Sequence, residues 1–181
     1  MRLITKIAII LLIISKTTLA AESNFNEILN NPNDKFGPEA KASFKDWQFY
    51  IDRSQKRKIC YIFSIPKKST GNYRTRKRPY FLVKSIENNN VEITISAGFT
   101  FQNNSEVQIS FKDKKFNIFT FENLAWSYNI SQDLDIVKEM KKNNFLEIYA
   151  INKYGRYSKD QYSLDGFNQA YHKITQICNK L

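Results

Sequence analysis

The residues best suited to chemistry are four closely spaced cations near the middle of the chain. They are Arg74, Arg76, Lys77 and Arg78. Arginine makes bidentate contacts to phosphate, sulfate or carboxylate, and this run uses three arginines where the rest of the chain mostly uses lysine. The run therefore predicts a contact surface for an anionic ligand, and an ordinary solvated loop is the alternative.

Nucleophilic catalysis has little support because the chain contains one histidine, His172. A Ser-His-Asp triad or a Cys-His dyad would have to use this side chain. His172 falls on the side of a predicted helix away from Phe167, so we expect it to face solvent. Glu92 and Glu106 lie on the polar sides of alternating strands, which favours solvated charges over a catalytic pair of carboxylates. We therefore predict that the protein is not an enzyme.

Metal and cofactor sites also lack a recognisable motif. One histidine and two cysteines are too few for the usual ligand sets of a zinc site. The five glycines are scattered singly, so no glycine-rich phosphate loop is present. We predict neither a metal nor a cofactor.

The two cysteines, Cys60 and Cys178, lie far apart in the chain. In an exported protein an even pair is typical of a disulfide, and two separate buried thiols are the alternative. A bridge would join the first part of the domain to its last helix. The chain-entropy model allows ~4–5 kcal/mol of stabilisation for so long a closed loop.

The first twenty residues have the pattern of a secretory signal peptide. Arg2 and Lys6 precede an apolar run over residues 7–14, and Ala20 offers a small residue for cleavage. A membrane anchor is the alternative, but the apolar run is shorter than the ~20 residues that a spanning helix needs. We predict a signal peptide over residues 1–20 and no transmembrane segment after its cleavage.

The remaining chain divides into an arm and one domain. Residues 21–43 are polar and broken by Pro and Gly, which predicts a flexible N-terminal arm, and residues 44–181 form the predicted domain. Cleavage of the signal peptide removes Arg2, Lys6 and Lys16. The mature chain then has 25 of the 28 Lys and Arg residues against 17 Asp and Glu residues, a net charge of +8. A positive surface favours acidic partners, although a general bias toward Lys, Asn and Ile is the alternative explanation.

Hydrophobic periodicity within the domain is mostly that of strands. Residues 91–97 alternate most clearly, with Val91, Ile93 and Ile95 on one side. About seven or eight short strands follow one another with turn signals between them. Helical spacing appears at about 133–142, with Ser131 or Asp133 as the cap, and at about 164–178 after Ser163. The sum predicts a mainly β fold, an antiparallel β-sandwich or open barrel with two helices.

Several blocks of this domain resemble the invasion-associated locus B (IalB) family of alphaproteobacteria. The blocks are residues 44–47, 60–66, 78–83, 98–101, 135–142 and 162–171. The most specific is the Ser-Leu-x-Gly-Phe-x-x-Ala pattern at residues 163–170. Together they span about residues 44–178, which is nearly the whole predicted domain.

The resemblance implies a β-rich protein of the periplasm or outer membrane, or a secreted one, with a link to host-cell invasion. It supplies no catalytic residues. We therefore expect a non-enzymatic envelope protein that acts by binding, with a structural envelope component or a periplasmic chaperone as alternatives. The partners that fit are an acidic glycan, lipopolysaccharide, or an envelope or host protein, and nucleic acid is not expected because the N-terminal sequence predicts export.

Overall fold

The described part of the chain contains eleven short strands and two helices. The computed structural model describes residues 40–52, 59–86 and 90–178. The strands are β1 (Ala40–Phe44), β2 (Trp47–Asp52), β3 (Ile59–Ser64), β4 (Lys68–Gly71), β5 (Tyr80–Ser85), β6 (Val91–Ser96), β7 (Glu106–Ser110), β8 (Lys115–Phe121), β9 (Leu124–Trp126), β10 (Phe145–Ile151) and β11 (Tyr157–Ser163). The helices are α1 (Ile130–Met140) and α2 (Phe167–Cys178).

All eleven strands belong to one sheet in the order β1-β2-β3-β5-β6-β9-β8-β7-β10-β11-β4. Every pairing is antiparallel, and the sheet curls into a half-barrel. The prediction of a mainly β, antiparallel fold with two helices is confirmed, in its open-barrel form. Because β4 pairs with β11 and not with β3, the chain after β3 crosses to the far end of the strand order.

Alternating apolar residues bury one face of each central strand in a common core. Ile93 and Ile95 of β6 are fully buried there, as the alternation of residues 91–97 predicts. The helix α2 packs against β2 and β3, and α1 packs against β6. Trp47 fixes the start of β2. Its ring packs edge-on against the Phe167 ring with 5.0 Å between the ring centres, and its indole N–H donates to the Ser163 carbonyl at 3.0 Å.

A disulfide between Cys60 and Cys178 fastens the end of α2 to β3. The two Cα atoms are 6.1 Å apart, which is an ordinary separation for a bridge. The predicted pairing is confirmed, and the alternative of two separate thiols is wrong.

Both helices begin at other residues than the sequence predicts. Asn129 caps α1, since its side chain accepts from the Gln132 N–H at 3.0 Å, so this helix covers 130–140 and not 133–142. The second helix begins at Phe167, and Ser163 instead accepts from the Asp165 N–H in the turn before it. Short polar side chains bond to nearby backbone in turns as well as in caps, which is why the two are hard to separate by sequence.

Three strands lie where the sequence predicts none. The strand β4 lies just before the predicted basic run, β9 is only three residues long, and β1 overlaps the end of the predicted arm. The rest of that arm and the predicted signal peptide lie outside the described residues, so both remain predictions. No helix in the described ranges is long and apolar enough to cross a membrane.

Candidate anion-binding cleft

The predicted basic run lies on the loop between β4 and β5, and the end of β6 holds this loop in place. The Lys77 N–H donates to the Gly98 carbonyl at 2.8 Å. Gly98 has a φ of +78°, and a Cβ at this position would lie 2.1 Å from the Lys77 carbonyl oxygen. Only glycine fits this backbone conformation and this close approach without strain.

Arg76 points inward from the loop and forms a buried ion pair. Its Nη1 and Nη2 donate to the two carboxylate oxygens of Asp160 at 2.6 and 2.5 Å, and Nη1 also donates to the Ala97 carbonyl at 3.1 Å. The side chains of Arg76 and Asp160 are only 6% and 1% exposed. The guanidinium also lies 4.3 Å from the centre of the Tyr73 ring.

Burial and pairing act in opposite directions on the charge of Arg76. Desolvation by burial favours the neutral form, but the hydrogen bonds and negative charge of Asp160 outweigh it and raise the pKa of Arg76. Arg76 therefore stays charged, with both terminal nitrogens engaged inside the protein. Its role in the structure is to hold the loop, which leaves the other three cations of the predicted contact surface to face outward.

Arg74, Lys77 and Arg78 are all exposed. None of the three forms an ion pair with another described residue. Their charges are therefore available to a ligand, and binding of an anion by this loop remains a prediction.

A cleft of about 470 Å³ opens beside the loop. Three chain segments line it: the basic loop, the segment after β6, and the turn between β10 and β11. The lining residues are Arg74, Thr75, Phe99, Thr100, Asn152, Lys153, Tyr154 and Arg156. The cleft therefore brings three cations together without an acidic side chain among its described lining residues.

The turn between β10 and β11 is fixed by the buried Asn152. The Asn152 side-chain oxygen accepts from the N–H groups of Tyr154 and Arg156, both at 2.9 Å. The backbone carbonyl of Asn152 accepts from the Gly155 N–H at 2.9 Å, and Gly155 has a φ of +74°. This is the pattern of a three-residue hairpin loop with a glycine in the left-handed conformation. It leaves the side chain of Tyr154 74% exposed.

The other side chains considered for chemistry have ordinary surroundings. His172 is exposed, as predicted. Glu92 is half-buried and contacts Lys84 across the strands at 3.5 Å, and the exposed Glu106 accepts from the Tyr128 hydroxyl at 2.6 Å. Glu92 also lies close enough to the buried Asp133 for its charge to act on that carboxyl.

Sequence reasoning did not connect Lys153, Arg156 or Asp160 with the basic run. The signal for Asp160 was present, because it shares the inward-facing register of β11 with Ser158 and Tyr162. An acid in that register needs a buried cation as its partner. Lys153 and Arg156 carried no local signal, since they join the basic loop only through the tertiary fold.

The fold and the cleft together define a class of protein. It is a disulfide-bonded domain on one curled antiparallel sheet, with a cationic cleft and, in the described ranges, no cluster of three or more His, Cys, Asp or Glu residues that could hold a metal ion. Within that class, the chain belongs to the IalB family. The family model described as Invasion associated locus B (IalB) protein matches residues 47–175, so the resemblance seen in the sequence is confirmed.

A solved structure shares this fold. It is the crystal structure of invasion associated protein b from Bartonella henselae, which is 12% identical in sequence. The match covers 75% of this chain and 96% of that chain, with a TM-score of 0.55. No curated protein matches the chain.

Proposed function

We propose that this protein is an exported envelope protein that acts by binding an acidic partner through its basic loop, and that it is not an enzyme. The observation that carries the proposal is the state of Arg74, Lys77 and Arg78. All three are exposed on one loop, and no described carboxylate neutralises them.

The loop is also held in one position before any partner arrives. The Arg76–Asp160 pair anchors it from inside, and the Lys77 N–H bond to Gly98 fixes its backbone. A rigid loop loses less conformational entropy when it binds, so more of the electrostatic attraction is retained as affinity. Because exposed charges are screened by salt, a specific site must still bind at physiological ionic strength.

Export is supported by three separate features. The N-terminal sequence has the pattern of a signal peptide, the Cys60–Cys178 disulfide is typical of oxidising compartments outside the cytoplasm, and the chain belongs to the IalB family. N-terminal sequencing of the protein recovered from an expressing bacterium tests this part. The proposal predicts a mature chain that begins at Ala21, and an intact Met1 start in the cytoplasm would contradict it.

Binding is tested with a panel of acidic glycans, anionic lipid vesicles and lipopolysaccharide at low and physiological salt. The test variant is Arg74→Ser/Lys77→Ser/Arg78→Ser. The matched control is Lys112→Ser/Lys115→Ser/Lys138→Ser, which removes the same charge from exposed residues elsewhere.

The proposal predicts binding at physiological salt that the loop variant loses and the control variant keeps. Equal losses in both variants would show attraction to net charge alone. Absence of binding by the unmodified protein would favour a structural envelope component. Either result would contradict the proposal.

A further inference from the structure

The cleft beside the basic loop has features that an open positive surface lacks. It joins Arg74 of the loop to Lys153 and Arg156, which are 79 and 82 positions further along the chain. It also includes the aromatic side chains of Phe99 and Tyr154. A ligand with a compact anionic group and a ring could use both features, because the cations would bind the anion and the aromatic residues would contact the ring.

The walls of the cleft are tied to one shared segment, residues 97–101. The basic loop bonds to this segment through Arg76 to the Ala97 carbonyl and through the Lys77 N–H to the Gly98 carbonyl. The opposite turn bonds to it through the Lys153 N–H, which donates to the Thr100 carbonyl at 2.9 Å. The three cations are therefore carried on two segments that both bond to residues 97–101.

The charge of the cleft selects the type of anion. Arg74, Lys153 and Arg156 supply three positive charges, and none of them is paired with a described acid. A phosphate monoester carries about −1.5 to −2 charges and three acceptor oxygens at neutral pH. It can therefore use all three cations, whereas one carboxylate offers a single charge.

The aromatic residues and the size of the cleft select the rest of the ligand. Tyr154 is mostly exposed and Lys153 Nζ lies 5.0 Å from the centre of its ring, so one side chain pair offers both a flat apolar face and a charge. A volume of about 470 Å³ lies within the range of small-molecule sites. We propose that this cleft binds a phosphorylated saccharide, with the phosphate on Arg74, Lys153 and Arg156 and the sugar ring against Tyr154.

This inference rests on the proposed function, because it assigns a ligand class to the same basic region. The phosphorylated sugar could be free or could be the headgroup of a glycolipid. Titration with glucose 6-phosphate tests the free form, and vesicles that contain a phosphorylated glycolipid test the membrane form. Glucose and inorganic phosphate separate the contribution of the ring from that of the anion.

The variants are chosen in charge-matched pairs. Lys153→Ser/Arg156→Ser removes two cations of the cleft, and Lys77→Ser/Arg78→Ser removes two cations of the loop that do not line it. Tyr154→Ala removes the ring while it leaves the charges. Arg156→Gln is a milder second variant in case the serine pair perturbs the turn, and unchanged thermal unfolding identifies variants that remain folded.

At physiological salt we expect glucose 6-phosphate to bind more tightly than inorganic phosphate and glucose not to bind. The cleft pair should weaken binding of glucose 6-phosphate at least about tenfold, since charge-assisted hydrogen bonds are lost, and the loop pair should have a smaller effect. Tyr154→Ala should weaken binding of glucose 6-phosphate but not of inorganic phosphate.

Two results would overturn the inference in different ways. Suppose that Lys153→Ser/Arg156→Ser binds the acidic panel and glucose 6-phosphate normally while Lys77→Ser/Arg78→Ser does not. The proposed function then stands, and the cleft is not the binding site. If neither pair changes any binding, both the cleft and the basic loop are wrong as binding surfaces.

Discussion

Arg76 and Asp160 face each other in the protein interior through two hydrogen bonds of 2.6 and 2.5 Å, although 84 positions separate them in the chain. The pair connects the basic loop to β11, and Arg76 also bonds to the Ala97 carbonyl at the end of β6. One residue of the basic run thus positions its neighbours, and the outward-facing cations depend on this inward-facing one.

Breaking this pair should destabilise the fold strongly. Arg76→Met leaves the buried Asp160 without its cation, and removal of one partner of a buried ion pair costs about 3–5 kcal/mol. We expect Arg76→Met and Asp160→Leu each to lower the free energy of unfolding by about that amount in urea. The double variant should recover much of the loss because neither charge then remains buried alone. Additive losses in the double variant would contradict a coupled pair.

The close contact between Gly98 and Lys77 gives a second prediction. Gly98→Ala requires a Cβ 2.1 Å from the Lys77 carbonyl oxygen, so the loop must move. Gly155→Ala is the control, since its φ of +74° is similar but nothing lies within 4 Å of its Cβ. The free energy of unfolding of the control should fall by about 1–2 kcal/mol because of the left-handed conformation alone. Gly98→Ala should lower it further and should also weaken anion binding. Equal losses would show that the contact is unimportant.

Asp133 should make stability depend on pH. Burial, assisted by the charge of Glu92 and opposed by the hydrogen bond from the Ile93 N–H, raises the pKa of Asp133 to about 6. Between its ordinary value of 3.8 and about 6, the folded state binds more protons than the unfolded state. The free energy of unfolding should therefore fall as pH rises through this window, by about 1–3 kcal/mol.

The variant Asp133→Asn isolates this contribution. Asparagine keeps an oxygen that can accept from the Ile93 N–H but does not ionise. Urea unfolding of both proteins at pH 4 and pH 7 should show that the difference in stability, natural protein minus variant, falls with pH. A difference that stays constant or rises would mean that Asp133 does not titrate in this window.

The disulfide gives a prediction on stability alone. Because it closes a loop between residues 118 positions apart, replacement of both Cys60 and Cys178 by Ala should lower the free energy of unfolding by about 2–5 kcal/mol. A reducing agent should destabilise the natural protein similarly and leave the double alanine variant unchanged. Thermal unfolding of the natural protein that is insensitive to reductant would contradict a stabilising bridge.

Much of the fold was predictable because it depends on local patterns. The alternation of Val91, Ile93 and Ile95 predicts a strand, and β6 covers those residues. The strand β4 escaped prediction because all four of its residues are exposed and polar or small, so no apolar face marks it. Its pairing with β11 depends on residues far along the chain.

The candidate site was predictable only in part for the same reason. The basic run is visible in the sequence, but the inward direction of Arg76 depends on Asp160 in a strand that follows much later. Lys153 and Arg156 lie on the turn around Gly155, far along the chain from the basic run. The cleft exists because the curled sheet brings that turn to the segment after β6.

The most direct test of the account uses Arg74, which belongs to both the basic loop and the cleft. We would measure the affinity of the natural protein, Arg74→Ser and Lys138→Ser for glucose 6-phosphate and for the acidic panel at physiological salt. We predict a loss of about tenfold for Arg74→Ser and no change for the charge-matched Lys138→Ser. Equal affinity of all three proteins, or no binding by the natural protein, would contradict it.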